Sequence, residues 1–113
     1  MSERKRLDPR HPSLTTKVVW ANGYGAEQHF IVTFGIDDKH QIREAFCASF
    51  KRDSDMVALA NDACILLSRL LQMQISMEDI ANSLGENAGQ PASIIGTITK
   101  AGLEMQQWLT SQS

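Results

Sequence analysis

The spacing of apolar residues changes once along this chain of 113 residues, near residue 51. Before that point apolar and polar residues alternate, as in a β-strand that buries one face. Beyond it apolar residues recur every three or four positions, as in an amphipathic helix. A run of strands followed by a run of helices is typical of α+β domains. We therefore expect an α+β fold, in which a three-stranded antiparallel sheet is followed by three helices packed on one face.

Three segments carry the strand pattern. The first, TTKVVW over residues 15–20, is rich in β-branched residues and leads into the turn sequence NGYG. The second and third are HFIVTFGI over residues 29–36 and QIREAFCASF over residues 41–50, joined by the loop DDKH. The three strands should form a meander. Strict alternation in the third segment predicts a helix-facing side that consists of Ile42, Glu44, Phe46, Ala48 and Phe50.

The two cysteines are expected on opposite sides of the sheet. Alternation turns Cys47 away from the helices, whereas Cys64 lies on the apolar side of the first helix. A disulfide needs Cα atoms within about 7 Å of each other, so this placement predicts two free thiols. A buried free cysteine then acts as a small apolar residue. A reactive thiol at Cys47, in a thiol-dependent redox protein, stays open as a third alternative for function.

The first helix is expected to begin near Asp55, with Asp53 or Ser54 as its cap. One apolar stripe comprises Val57, Ala60, Cys64, Leu67 and Leu71. A second apolar flank comprises Met56, Leu59, Ala63, Leu66 and Leu70. Such a wide apolar surface exceeds what one sheet face covers, and we expect a homodimer or a larger assembly.

Two shorter signals define the remaining helices. Ser76 and Asp79 fit a capping pattern at the start of a short helix. The last helix holds a helical period of apolar residues up to Trp108 and Leu109. We expect this final helix, with Trp108, as the candidate dimer interface.

Glu44 is the unusual residue of the third strand, because alternation predicts that its carboxylate faces the helices. An unpaired carboxylate there would be costly, so it needs a charged or hydrogen-bonding partner. Arg69 is the expected partner, with the capping region near Ser54 as the other option. The alternative is a functional carboxylate that contacts a ligand or a protein partner. Glu44, Asp62 and Arg69 are therefore the candidate contact residues.

A basic arm precedes the domain. We divide the chain into a flexible arm over residues 1–14 and a single domain over residues 15–110. Four residues of the arm are candidate phosphate contacts: Arg4, Lys5, Arg6 and Arg10. The net charge of −2 gives no general attraction to nucleic acid, so we expect weak and non-specific binding at most. The alternative function is a small nucleic-acid or nucleotide binder that uses the arm and the exposed sheet face.

Several classes of function lack their motifs. No segment reaches the roughly 18 apolar residues of a membrane-spanning helix, and we expect a cytoplasmic protein without membrane contact. His11, His29, His40 and the cysteines lack the spacing of a metal site. No phosphate loop, dinucleotide loop or nucleophile motif occurs. We expect no metal, no cofactor and no catalytic residues.

Residues 30–46, FIVTFGIDDKHQIREAF, resemble the hairpin of the TSCPD domain, through Phe30, Thr33, Gly35, Glu44 and Phe46. Four further segments are similar to the later parts of that domain: SD at 54–55, NDACILLSRLLQ at 61–72, ISMEDIANSL at 75–84 and GQPASIIGTI at 89–98. The family's usual Asp-Gly turn is Lys39-His40 here, and Gln74 stands where a glycine is expected. The Ser-Cys-Pro-Asp sequence that names the domain is missing.

The TSCPD domain occurs at the end of adenosylcobalamin-dependent ribonucleotide reductases and as small free-standing bacterial proteins. The resemblance implies an accessory module of nucleotide metabolism, with a ribonucleotide reductase or another protein of that metabolism as partner. The family's usual host activity is ribonucleoside-diphosphate reduction. A chain of 113 residues is too short for the reductase barrel and its cobalamin site, so we expect no such activity from it alone.

Overall fold

The computed structural model describes residues 12–21, 27–49, 54–87 and 89–112. The α+β prediction is confirmed, since a three-stranded antiparallel sheet is followed by three helices. A short two-stranded ladder before the last helix was not predicted. The elements are β1 Ser13–Ala21, β2 Glu27–Ile36, β3 Ile42–Ser49, α1 Ser54–Gln72, α2 Met77–Ser83, β4 Glu86–Asn87, β5 Gln90–Pro91 and α3 Ile94–Gln112.

The sheet has the order β1-β2-β3, with β2 in the middle. Every second residue of β2, from Phe30 to Ile36, is buried against the helices, as its alternation predicts. Phe30 pairs with Val18 of β1, and Phe34 pairs with Ala45 of β3. These residues form the sheet side of the core.

A β-bulge in β3 changes which residues face the helices. Gly35 of β2 pairs with Glu44, but the next residue, Ile36, pairs with Ile42. Arg43 is therefore an extra residue, and the alternation shifts by one position beyond it. Ala45 is buried, whereas Phe46 is 58% exposed on the outer side of the sheet. The prediction that Phe46 faces the helices was wrong because strict alternation does not allow for the bulge.

Helix α1 packs on β3 through the predicted stripe. Ala60, Cys64, Leu67 and Leu71 are all buried there. The hydroxyl of Ser68 accepts a hydrogen bond from the backbone N–H of Ala45 at 2.9 Å. Since β3 is at the edge of the sheet, α1 supplies a partner for a backbone group that no strand covers.

Helix α3 packs on β1 of the sheet, and α2 packs on α3. The predicted cap of α2 is confirmed, because Ser76 Oγ accepts from Asp79 N at 3.0 Å. Gly102 of α3 lies so close to its neighbours that a Cβ atom there would be 2.6 Å from Met77 Cε and 3.1 Å from Phe34 Cε1. The glycine thus permits close packing of α3 on α2 and on the sheet.

The far end of α3 holds the turn between β2 and β3. Gln106 Oε1 accepts from Ile42 N, and Gln106 Nε2 donates to the carbonyl of His40, both at 2.8 Å. One side chain therefore satisfies two backbone groups of the hairpin.

Candidate functional site

An apolar stripe on α1 is left exposed by the fold. Leu59 is 63% exposed, Leu66 is 64% exposed and Leu70 is 41% exposed. Ala63 lies between them and is half-buried. Each of these four residues directly precedes a buried residue of α1, so the stripe lies about 100° around the helix from the core. We call Leu59, Ala63, Leu66 and Leu70 the α1 stripe.

Two opposite charges accompany the α1 stripe. Asp62 and Arg69 are both exposed and each directly precedes a residue of the stripe. They are seven residues apart, or about 10.5 Å along the helix, too far to form an ion pair with each other. Both of these candidate contact residues therefore lie beside the exposed apolar surface.

Glu44, the third candidate contact residue, lies elsewhere. Its pairing with Gly35 puts it on the outer side of the sheet, next to the exposed Phe46. The prediction that Glu44 faces the helices was wrong, for the same reason as for Phe46. The sheet lies between Glu44 and Arg69, and the three candidate contacts do not form one site.

The other candidate residues belong to no common site in the described part of the chain. Arg4, Lys5, Arg6, Arg10 and His11 lie outside the described residues. His29 Nε2 is 3.1 Å from Glu27 Oε2 on β2. In the ranges that the structure describes, no three His, Cys, Asp or Glu side chains converge as they would around a metal ion.

The structure brings the two cysteines together. Cys47 pairs with Val32, which is fully buried, so Cys47 lies on the helix-facing side of β3. Cys64 is 1% exposed on the opposing side of α1. Both thiols are free, and Cys47 packs against the buried cluster that contains Cys64. The prediction that the sheet separates them was wrong, because the bulge at Arg43 turns Cys47 inward.

Hydrogen bonding between the two thiols shifts their pKa values in opposite directions. Hydrogen bonding to Cys64 lowers the pKa of Cys47, although burial opposes this effect. The same hydrogen bond raises the pKa of Cys64, and burial raises it further. Cys47 is therefore the thiol that loses its proton more readily, with Cys64 as the donor to its sulfur.

No local sequence signal announces this pair. Both phases of β3 carry apolar residues, Ile42 and Phe46 in one, Ala45 and Cys47 in the other. The sequence of β3 is therefore compatible with a regular strand and with a bulged one, and only the pairing with β2 distinguishes these two arrangements.

A groove of about 330 Å³ lies between the β2–β3 turn, the start of α2 and the end of α3. Arg43 lines it, but its guanidinium already donates to Asp37 Oδ2 at 3.0 Å and to the carbonyl of Leu71 at 2.9 Å. Burial tends to raise the pKa of Asp37, but hydrogen bonds from Gln41, Arg43 and Lys39 outweigh it and lower the pKa below its usual value. Sequence reasoning missed this Asp37–Arg43 pair.

Comparisons with protein-family models, with curated proteins and with solved structures find no match. Within the described residues, none of the helices combines the length and the apolar character needed to cross a membrane.

Proposed function

We propose that this protein is a non-catalytic cytoplasmic module that works through protein contacts, and that its first contact is with a second copy of itself. The exposed α1 stripe carries the proposal. Leu59, Leu66 and Leu70 are large apolar side chains that stay exposed over about half of their surface. Full burial of one leucine stabilises by about 1.5–3 kcal/mol, and roughly half of that remains to be gained at each of the six leucines in two copies.

The spacing of the stripe favours a second helix of the same kind as its cover. The four residues follow each other at intervals of four, three and four residues, which is the spacing of the apolar seam in a coiled coil. In an antiparallel pair of α1 helices, Leu59 faces Leu70 of the second copy. Ala63 then faces Leu66 of the second copy, so small and large side chains alternate across the contact.

The charges beside the stripe favour the antiparallel arrangement. In that register Asp62 lies within two residues, or about 3 Å along the axis, of Arg69 of the second copy. Two-fold symmetry repeats the contact, so both copies gain one attractive pair. A parallel arrangement in register would instead put Asp62 of one copy and Arg69 of the other on opposite sides of the seam, so this attractive contact would be lost.

The backbone supports the resemblance to the TSCPD domain, on which the wider function rests. Among the described residues, His40 and Gln74 are the non-glycine residues with positive φ, at 61° and 67°. These are the two positions at which the family pattern has glycine. Left-handed backbone is the conformation for which glycine is favoured, so the two departures in sequence keep the backbone that the pattern requires.

The resemblance further favours a protein of nucleotide metabolism, a ribonucleotide reductase above all, as the partner outside the homodimer. Binding to a purified adenosylcobalamin-dependent reductase, measured by calorimetry, tests this part. Its failure would leave the homodimer proposal standing, because the two rest on different observations.

Light scattering tests the homodimer directly. We expect the mass of a dimer at about 100 µM, well above the micromolar constants of many weak interfaces. Leu66→Glu puts a charge into the apolar seam and should give a monomer at the same concentration. Trp108→Ala removes another exposed apolar side chain, on α3, and should leave the dimer intact. A monomeric wild-type protein would contradict the proposal, and dissociation by Trp108→Ala alone would move the interface to α3.

A further inference from the structure

The interface between β3 and α1 contains a pair of thiols, which is independent of the α1 stripe. Cys47 on β3 packs against the buried cluster that contains Cys64 of α1. Ser68 Oγ joins the two segments beside them, since it accepts from Ala45 N at 2.9 Å and donates to the Cys64 carbonyl at 2.8 Å. Cys47 is half-buried, whereas Cys64 is closed off from solvent. A small solute from the solvent therefore reaches Cys47 first, and Cys64 is held directly behind it.

We propose that Cys47 and Cys64 form a peroxide-reactive dithiol, in which Cys47 is the nucleophile and Cys64 resolves the product to an intramolecular disulfide between β3 and α1. This inference goes beyond the proposed function and does not depend on it. The lowered pKa of Cys47 supports the assignment of roles, since the thiolate is the reactive form of cysteine.

The chemistry has two steps. In the first, the Cys47 thiolate attacks one oxygen of hydrogen peroxide; a sulfur–oxygen bond forms and the oxygen–oxygen bond breaks. Hydroxide leaves and takes a proton from solvent, so one water forms and Cys47 becomes a sulfenic acid. In the second, Cys64 sulfur attacks Cys47 sulfur, the disulfide forms and the sulfur–oxygen bond breaks. The proton of Cys64 leaves with that oxygen as the second water, and one peroxide has oxidised two thiols.

The chain has only two cysteines, so the product can be read without ambiguity. Freshly reduced full-length protein is treated with hydrogen peroxide under native conditions, then denatured, alkylated and weighed intact. We expect a product that has lost two hydrogen atoms, carries no alkyl group and runs as a single chain on a non-reducing gel. Unmodified protein, or oxygen added to Cys47 without a disulfide, would overturn the proposal.

Two serine variants assign the roles. Cys64→Ser should stop at the sulfenic acid, which dimedone traps on Cys47. Cys47→Ser should react at about one tenth of the rate of Cys64→Ser or more slowly, because its remaining thiol, Cys64, is buried away from solvent. Equal rates for the two variants would overturn the roles. Alkylation of the folded wild-type protein needs no variant and gives a second measure: Cys47 should be labelled well before Cys64, and the reverse order would contradict the proposal.

Discussion

Ser68 and Ala45 join α1 to the free edge of β3. The Ser68 hydroxyl accepts from Ala45 N at 2.9 Å, and two carbonyls are within reach of its own proton, that of Cys64 at 2.8 Å and that of Ala45 at 3.2 Å. An uncovered strand edge is a site for pairing with other chains. One hydroxyl on the helix thus satisfies a backbone group of the edge strand.

Replacement of this hydroxyl should destabilise the fold. Ser68→Ala leaves Ala45 N without its partner, and we expect a loss of about 1–3 kcal/mol in the free energy of unfolding, measured with urea. Ser83→Ala is the control, because Ser83 Oγ donates only to a carbonyl of its own helix, at Ile80. Equal stability of the two variants would show that water replaces Ser68 at the edge.

The Asp37–Arg43 pair predicts a pH dependence of stability. The folded pKa of Asp37 is below its ordinary value of 3.8, so the group stabilises the fold above that value and loses its contribution as pH falls through the folded pKa. Asp37→Asn should flatten the decline in melting temperature below about pH 4. Asp38→Asn removes the same charge from the neighbouring residue without touching Arg43. An identical acid decline in the wild type and Asp37→Asn would contradict this linkage.

Reversal of the charges beside the α1 stripe should control association. Asp62→Arg and Arg69→Asp each place like charges together twice in the antiparallel dimer, and we expect each to weaken association by roughly tenfold. An equal mixture of the two variants should form a heterodimer, because both of its contacts then join opposite charges. Sedimentation velocity of each variant and of the mixture measures this. A mixture no more associated than its components would exclude the Asp62–Arg69 contact.

Glycine at the two left-handed positions should stabilise the protein. A non-glycine residue in that conformation costs about 1–2 kcal/mol, partly offset by the larger unfolded-state entropy of glycine. We expect Gln74→Gly to raise the free energy of unfolding by about 0.5–1 kcal/mol, and His40→Gly by less, since histidine tolerates positive φ better. Lys39→Gly, in the same turn as His40 but without positive φ, should lower stability. Destabilisation by Gln74→Gly would contradict the strain argument.

The sequence predicted the elements well because their patterns are local. The alternation in β2, the buried stripe from Ala60 to Leu71 and the cap at Ser76 are each set by neighbours a few residues away. The bulge at Arg43 is different, since it is defined by pairing with another strand. That single residue decides whether Cys47 or Phe46 faces α1. The same holds for the candidate site. The exposed α1 stripe was predicted from local spacing, whereas the thiol pair depends on strand pairing and was not predicted.

The position of α3 in the chain has a consequence during translation. Gln106 bonds to residues 64 and 66 positions earlier, Ile42 and His40, and Gly102 packs against Phe34. A nascent chain that has left the ribosome only as far as α2 contains all three strands of the sheet. The β2–β3 turn then lacks its hydrogen bonds to Gln106, and Phe34 lacks its contact with α3. Folding of the sheet is therefore completed late, after α3 has been synthesised, and until then the partly built domain exposes apolar surface of the kind that chaperones bind.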